Sequence, residues 1–457
     1  VSSPDVLIVG AGLAGLSAAA LLSADGVEVV VVEEDLDVGG KLRAMEREGF
    51  VMDGGLHCFH YGDSGPLGEL DRRLGLGLTH LASPNASYIL RGKNRLPVPP
   101  GAETDTHDVP GFTENEAARI RAWFGKLMEA DPEEWRKKSV AEFDAASGFA
   151  ADELVNAYAG ALCLTVLGRH PSEVNAGLII SHGQAVGHPG FHVSVIAGGA
   201  GRLVRALAAK IGKDHARVVL GSRVSQISVD AAANTVTGVT ATSEEFAPAA
   251  VIYAGPAQKL PGLLPKEKSL APLLRKCKKQ EPISGIALEM GLASRVCEIR
   301  GVMIDPEEAV IGRFPSNLDP SLAPEGAQLS SWLMLVPPED LADVKTASSH
   351  IRRLKRLVAR HFPEIEAQTK WERLRVIPII ASAAPLPSQP ADKRPAVQAK
   401  PLSNLFLAGD GAAGKGLLSG LAVSTAMEAV DRIKKFLKER KAAAAVEEEI
   451  TGPDEQD

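Results

Sequence analysis

An apolar run, Asp5-Val6-Leu7-Ile8-Val9, stops at glycine and leads into Gly10-Ala11-Gly12-Leu13-Ala14-Gly15. An Ala/Leu-rich stretch from Leu16 to Ala24 follows, then a β-branched run from Val27 to Val32 that ends at Glu33. That order predicts strand, tight turn, helix, strand, with both strands buried in a parallel sheet. Gly10, Gly12 and Gly15 fit the G-x-G-x-x-G pattern: the first allows the turn, the second lets a pyrophosphate approach the backbone, the third lets the helix pack close to the strand. The open N–H groups of the first helical turn, around Leu13 and Ala14, and the positive end of the helix dipole then favour an anion. Glu33 directly continues the apolar run, so its carboxylate is the expected acceptor for ribose hydroxyls, and it disfavours a 2′-phosphate. Glu34 is a neighbouring candidate that points more to solvent. Dinucleotide binding is the reading; the competing one is a purely structural turn.

Downstream, residues 113–168 carry helical periodicity, and a glycine-rich turn near 195–201 opens a helix from Arg202 to Ile211. Strands are expected at Val218–Leu220, Val224–Val229, Thr235–Thr242 and Ala250–Gly255. Ile283–Met290, Val302–Ile304, Ala309–Phe314 and Gln328–Val336 read as a half-exposed antiparallel sheet, followed by a helix from Ser348 to Arg360. After a proline-rich connection at Pro378–Pro401, Asn404–Ala408 reads as a last strand and Leu421–Lys441 as a last helix. No internal repeat is present.

Net charge is −7, from 50 basic and 57 acidic residues, which disfavours nucleic acid as the main partner. The four cysteines, Cys58, Cys163, Cys277 and Cys297, are far apart and form no CxxC pair, so neither zinc nor a redox dithiol is expected. Scattered cysteines fit a reducing compartment. No apolar run reaches the roughly 18–20 residues of a membrane span, and no signal peptide is evident. The expected location is therefore cytoplasmic. Peripheral membrane contact stays open: the basic stretch Arg275-Lys276-Cys277-Lys278-Lys279 reads either as a lipid-headgroup contact or, more ordinarily, as a solvated helix end.

Glu33 leads into Asp35-Leu36-Asp37-Val38-Gly39-Gly40-Lys41-Leu42-Arg43, and then Gly49-Phe50-Val51-Met52-Asp53-Gly54-Gly55. These segments resemble the FAD-dependent amine oxidase superfamily and, within it, the phytoene desaturase-like flavoproteins. Ile196-Ala197-Gly198-Gly199-Ala200-Gly201-Arg202-Leu203, Gly221-Ser222-Arg223-Val224 and Leu405-Phe406-Leu407-Ala408-Gly409-Asp410 are similar to later motifs of that family. The resemblance implies an α/β fold: a Rossmann-like FAD-binding domain from residues 1–75, 195–265 and 385–440, and a discontinuous α+β substrate domain from 76–194 and 266–384. Residues 442–457 are expected to be a disordered acidic tail. It also implies that Gly40, Lys41, Gly54 and Gly55 lie along the flavin, that the Val224 backbone contacts adenine, and that Gly409 and Asp410 meet the ribityl chain. The helix start near Gly420 and Leu421 would face the flavin pyrimidine edge. No cysteine lies near the C-terminal motif, so the FAD is expected to be non-covalent.

A desaturase of this kind needs an apolar tunnel rather than an acid/base triad, and no catalytic motif stands out. His57 is the candidate flavin-proximal side chain; local packing is its alternative. His182, His188 and His192 form a loose cluster from which no metal site is expected. The leading expectation is an FAD-dependent oxidoreductase acting on carbon–carbon bonds of an apolar isoprenoid- or lipid-like molecule. The alternatives are amine or protoporphyrinogen-type oxidation, and a non-catalytic prenyl-binding protein like Rab GDI. The electron acceptor or donor, whether a quinone, oxygen or the substrate itself, is left open.

Overall fold

The computed structural model describes residues 1–82, 87–98, 113–186, 193–212 and 215–451. Five parallel strands form its central sheet, in the order Ala216–Val219, Val29–Val32, Val6–Val9, Ala250–Tyr253 and Leu405–Leu407. Four of them are wholly or almost wholly buried. That is why they read as continuous apolar runs rather than alternating ones. The Leu13–Ala24 helix packs against the Gly201–Lys210 and Leu418–Thr451 helices, and its buried Leu16, Ala18, Ala19 and Leu22 join the same core as the sheet.

A second sheet has seven strands, in the order Thr369–Ala381, Ile283–Leu292, Gln328–Leu335, Val310–Arg313, Met303–Asp305, Ser87–Arg91 and Asn94–Val98. All neighbours are antiparallel except the parallel pair Met303–Asp305 and Ser87–Arg91. Its second strand, Ile283–Leu292, is buried at every position, not half-exposed as its sequence implied. The reason is cover on both faces. Leu354, Leu357 and Val358 of the Val344–His361 helix join Ile286, Leu288 and Met290 on one side, and Glu289 meets the Gly54 backbone on the other. Three of its strands, Ser87–Arg91, Asn94–Val98 and Thr369–Ala381, escaped the sequence reading. Thr369–Ala381 contains Pro378 and Asn94–Val98 contains Pro97, and both are edge strands, the place where a sheet tolerates a missing N–H.

Two glycines in this sheet make room for tryptophans on the neighbouring strand. Gly312 pairs with Trp332 and Gly291 with Trp371. A Cβ on Gly312 would lie 2.0 Å from the Trp332 ring. Gly312→Ala is therefore expected to destabilise the fold by about 1–3 kcal/mol while leaving the distant glycine turn intact. Thermal unfolding with FAD content measured in parallel checks this; an unshifted midpoint would contradict it.

The last helix runs from Leu418 to Thr451, so the tail expected to be disordered is helical at least that far. Ala442–Ala445 and Glu447–Glu449 are strong helix formers that extend an established helix, a preference composition alone did not weigh. Residues 452–457 lie outside the described part. No described helix is long and apolar enough to cross a membrane. The Ala271–Lys278 helix ends in Arg275, Lys276 and Lys278 while Cys277 is buried beneath them.

Candidate functional site

The glycine turn has the geometry its pattern demands. Gly10 sits at φ +104°, a conformation that favours glycine, and its N–H donates to the Val32 carbonyl at 2.8 Å. A Cβ on Gly15 would lie 1.9 Å from the Gly10 carbonyl oxygen, so helix and turn touch there. At Gly12 the situation is reversed: a Cβ would meet no protein atom within 4 Å. Gly12 also caps the Leu13–Ala24 helix without a side-chain hydrogen bond, so the N–H groups of the first turn stay open to a ligand.

Glu33 stands at the edge of this space, 9% exposed. One carboxylate oxygen accepts from the Ala11 N–H at 2.6 Å and the other from the Asp35 N–H at 2.9 Å. The glycine turn and the strand end are thereby locked together. Glu34 is not brought to the turn; it pairs with Arg223 at 3.0 Å and Lys259 at 3.6 Å. Val224, next to that pair, is buried.

The second glycine pair folds back on the first. Gly39 bridges to Gly12, its N–H donating to the Ala11 carbonyl at 2.8 Å, and a Cβ on Gly40 would lie 3.3 Å from the Gly12 Cα. Lys41 then reaches Asp410, Nζ to Oδ2 3.2 Å, joining the two ends of the chain at one point. Burial opposes ionisation of Asp410, but the Lys41 ammonium and the Ser382 hydrogen bonds outweigh it and hold the carboxyl below its ordinary range. Gly409, at φ +133°, donates its N–H to the Thr425 hydroxyl at 2.9 Å, tying the Asp410 turn to the last helix. Gly420 and Leu421 lie in the first turns of that helix, with Leu421 buried and lining the same cavity as Asp410.

Gly54 is held from both sides of its peptide. Its N–H donates to Glu289 Oε1 at 3.1 Å, and its carbonyl accepts from Arg375 Nη1 at 2.7 Å. Burial pushes the Glu289 carboxyl up, against the pull of Arg373 and Arg375. Gly54 at φ +68° has no room for a side chain, since a Cβ would lie 2.1 Å from Arg375. Gly55 follows at φ +155°.

His57 turns back on its own loop, its Nε2 3.1 Å from the Asp53 carbonyl, and burial lowers its pKa below the ordinary histidine value. The Arg313 guanidinium donates to the His57 carbonyl at 3.3 Å. His57 is therefore a neutral side chain beside Gly54 and Gly55. His60 and His182 meet ring to ring, centroids 5.3 Å apart, and burial lowers their pKa values to about 4 and about 3. His188 and His192 lie outside the described residues. Among the described residues no group of three metal-ligating side chains comes together.

A cavity of about 170 Å³ opens at Asp410. Leu167, Leu178, Leu417, Leu418 and Leu421 line much of it, and no aromatic side chain does among the described residues. Arg394, Arg136, Asp392, Glu133, Asn175 and Ser181 join Asp410 in supplying its polar atoms.

The family of flavin-containing amine oxidoreductases matches the chain over residues 13–434. The chain belongs to this family. It is 32% identical to protoporphyrinogen oxidase 2 of Arabidopsis thaliana over 162 residues, 35% of this chain and 30% of that protein. Over 50 residues, 11% of this chain and 10% of that protein, it is 38% identical to the 4,4'-diapophytoene desaturase of Staphylococcus aureus. The matched stretches thus span less than a third of either curated relative. Among solved structures, an oxidoreductase from Methanosarcina mazei superposes with a TM-score of 0.77 at 21% identity, covering 93% of this chain and 99% of that one. Cyclohexylamine oxidase from Brevibacterium oxydans superposes with a TM-score of 0.67 at 18% identity, covering 95% and 100%. These likenesses establish the α/β fold.

The family is one of flavin-containing oxidoreductases, and the residues of this chain fit an FAD cofactor. The open space over Gly12, the uncapped helix start and the buried Glu33 carboxylate suit a pyrophosphate and a ribose diol. Glu33→Ala removes a candidate ribose acceptor and the partner of the Ala11 N–H. A charge-assisted hydrogen bond contributes about 1.5–3 kcal/mol, so FAD affinity should fall about tenfold or more. Titration of the deflavinated variant with FAD measures this; unchanged affinity in a folded variant would reduce Glu33 to a turn-holding role.

The sequence reading missed Glu289, Arg375, Thr425 and Arg394. Thr425 was legible as an unusual hydroxyl following Ser424 in the last helix. Nothing local marked the other three, because the partners of Glu289 and Arg375 and the residues that bury Arg394 lie far away in the chain.

Proposed function

We propose that the protein moves hydrogen onto or off a carbon–carbon bond of an apolar, isoprenoid- or lipid-like molecule. The observation that carries this reading is the cavity at Asp410, walled by five leucines and, among the described residues, without the aromatic pair with which an amine oxidase frames its substrate nitrogen. FAD, when bound, accepts the hydride in desaturation or returns it in saturation. The chain supplies position and surroundings. Gly12, the Leu13–Ala24 helix start and Glu33 would hold the nucleotide end, and Asp410, kept anionic by Lys41, would fix the ribityl end. The positive end of the last helix, near Gly420 and Leu421, would stabilise negative charge on the pyrimidine edge. The leucine wall excludes water and holds an alkyl chain without directing any proton transfer. Similarity to a diapophytoene desaturase supports the reading. A second reading, oxidation of a tetrapyrrole, is supported by the longer match to a protoporphyrinogen oxidase.

Mass spectrometry of small molecules extracted from the natively purified, FAD-loaded protein tests the proposal. A polyene, prenyl or acyl lipid is expected. A tetrapyrrole would replace this reading by the second, and an amine would overturn both.

A further inference from the structure

The cavity at Asp410 contains one charge that the proposed function does not use. Arg394 follows the turn at Ala391–Lys393 and is only 9% exposed. Its Nε has no hydrogen-bond partner, and no carboxylate among the described residues forms an ion pair with its guanidinium. The neighbouring acids are already engaged. Asp410 pairs with Lys41 at 3.2 Å, and Asp392 pairs with Arg136 at 3.3 Å, which also reaches Glu133 at 3.5 Å. Glu133 and Asp392 lie at the rim, with 80% and 50% of their side chains exposed, so solvent screens them from the interior. The backbone fixes the position of Arg394: its N–H donates to Ala391, and the carbonyl of the next residue, Pro395, accepts from Ala413 just past the Asp410 turn.

Asp410 attracts the Arg394 guanidinium without forming a close ion pair with it, and Asp410 is shared with Lys41; a buried charge so incompletely matched is disfavoured, and a guanidinium does not escape by giving up its proton. The planar fork of Arg394 therefore suits an anionic oxygen pair, in a cavity that carries Leu167, Leu178 and Leu417 as well as the polar Asn175 and Ser181. We propose that Arg394 anchors a carboxylate head on the substrate, with the apolar body lying along Leu167, Leu178 and Leu417. The substrate class narrows from an apolar hydrocarbon to an acyl or isoprenoid acid. This rests on the apolar-substrate reading above, and it also explains why an ammonium substrate is disfavoured here: the unpaired guanidinium repels it.

The test uses the FAD-loaded protein and three probes of equal chain length: octanoate, 1-octanol and octylamine. Binding is followed by perturbation of the flavin visible spectrum and confirmed by calorimetry. Octanoate should bind the native protein about tenfold or more tighter than 1-octanol, as one charge-assisted contact implies. Arg394→Met should erase that preference and leave 1-octanol binding in place, and Arg394→Lys should restore part of it. The native comparison stands by itself if the variants do not fold. Equal binding of octanoate and 1-octanol overturns the anchor but leaves the apolar-substrate reading standing. Binding of none of the three, or preference for octylamine, overturns both. Loss of FAD from folded Arg394→Met and Arg394→Lys would assign the guanidinium to the cofactor and overturn the anchor.

Discussion

Gly12→Val is expected to give a folded protein that purifies without its yellow colour. The backbone at Gly12 is extended, at φ −76° and ψ −173°, which any residue adopts, and a Cβ there meets no protein atom within 4 Å. The cost to folding is therefore confined to a poorer helix cap, at most about 1–2 kcal/mol. The space the valine fills is the space through which a pyrophosphate would approach the helix start. Gly15→Ala provides the contrast: its Cβ would lie 1.9 Å from the Gly10 oxygen, so it should damage the fold first and cofactor binding only as a consequence. Visible absorbance and the thermal midpoint of both variants separate the two roles. A fully FAD-loaded Gly12→Val protein would show that the nucleotide lies elsewhere.

Asp410→Ala should bind FAD but let it be reduced far more slowly. In the proposed site the nucleotide end would draw on Gly12, Glu33 and Val224, and no hydrogen bond or ion pair joins these to Asp410 among the described residues. What the substitution removes is the carboxylate between Lys41, at 3.2 Å, and the proposed ribityl position. Lys41 is then left without its partner at the turn that Thr425 anchors through Gly409. A reacting group displaced by about 1 Å loses on the order of a hundredfold in rate, so stopped-flow reduction by the identified substrate should fall by that order. The sign of the pH dependence also follows. Burial raises the Asp410 pKa, but Lys41 and Ser382 outweigh it, leaving the carboxyl below its ordinary range and ionised throughout the neutral region. Its contribution is thus present at neutral pH and lost only as pH falls through the lowered pKa. A variant that reduces at the parental rate would make Asp410 only a turn residue.

What was legible in the sequence is what local backbone geometry dictates. Gly10, Gly12, Gly15 and Gly409 announce turns that need no distant partner, and Glu33 is fixed by the strand that precedes it. The buried parallel strands were readable because cover on both faces makes their sequences apolar throughout. The same physics misled for Ile283–Leu292: Ser284, Gly285 and Glu289 gave it a mixed texture, yet all are buried. The clamp on Gly54 was illegible because Glu289 and Arg375 lie 235 and 321 positions away in the chain. The Lys41–Asp410 pair spans 369 positions, and although each residue was a candidate, their contact was not. Arg394 looked like one more charge in a proline-rich connection; only the fold shows it buried and unpaired beside Asp410.

The most direct test of hydrogen transfer at a carbon–carbon bond is the anaerobic half-reaction of the FAD-loaded protein. The oxidised protein is mixed with saturated isoprenoid and acyl acids, and the photoreduced protein with their unsaturated counterparts, with alkylamines and protoporphyrinogen as competitors for the same site. The account predicts that the flavin visible absorbance is lost or regained with a member of the acid series, accompanied by a product changed by two hydrogens, and that alkylamines have no effect. Flavin bleaching by an alkylamine with release of an aldehyde, while the acids leave the spectrum unchanged, would contradict it.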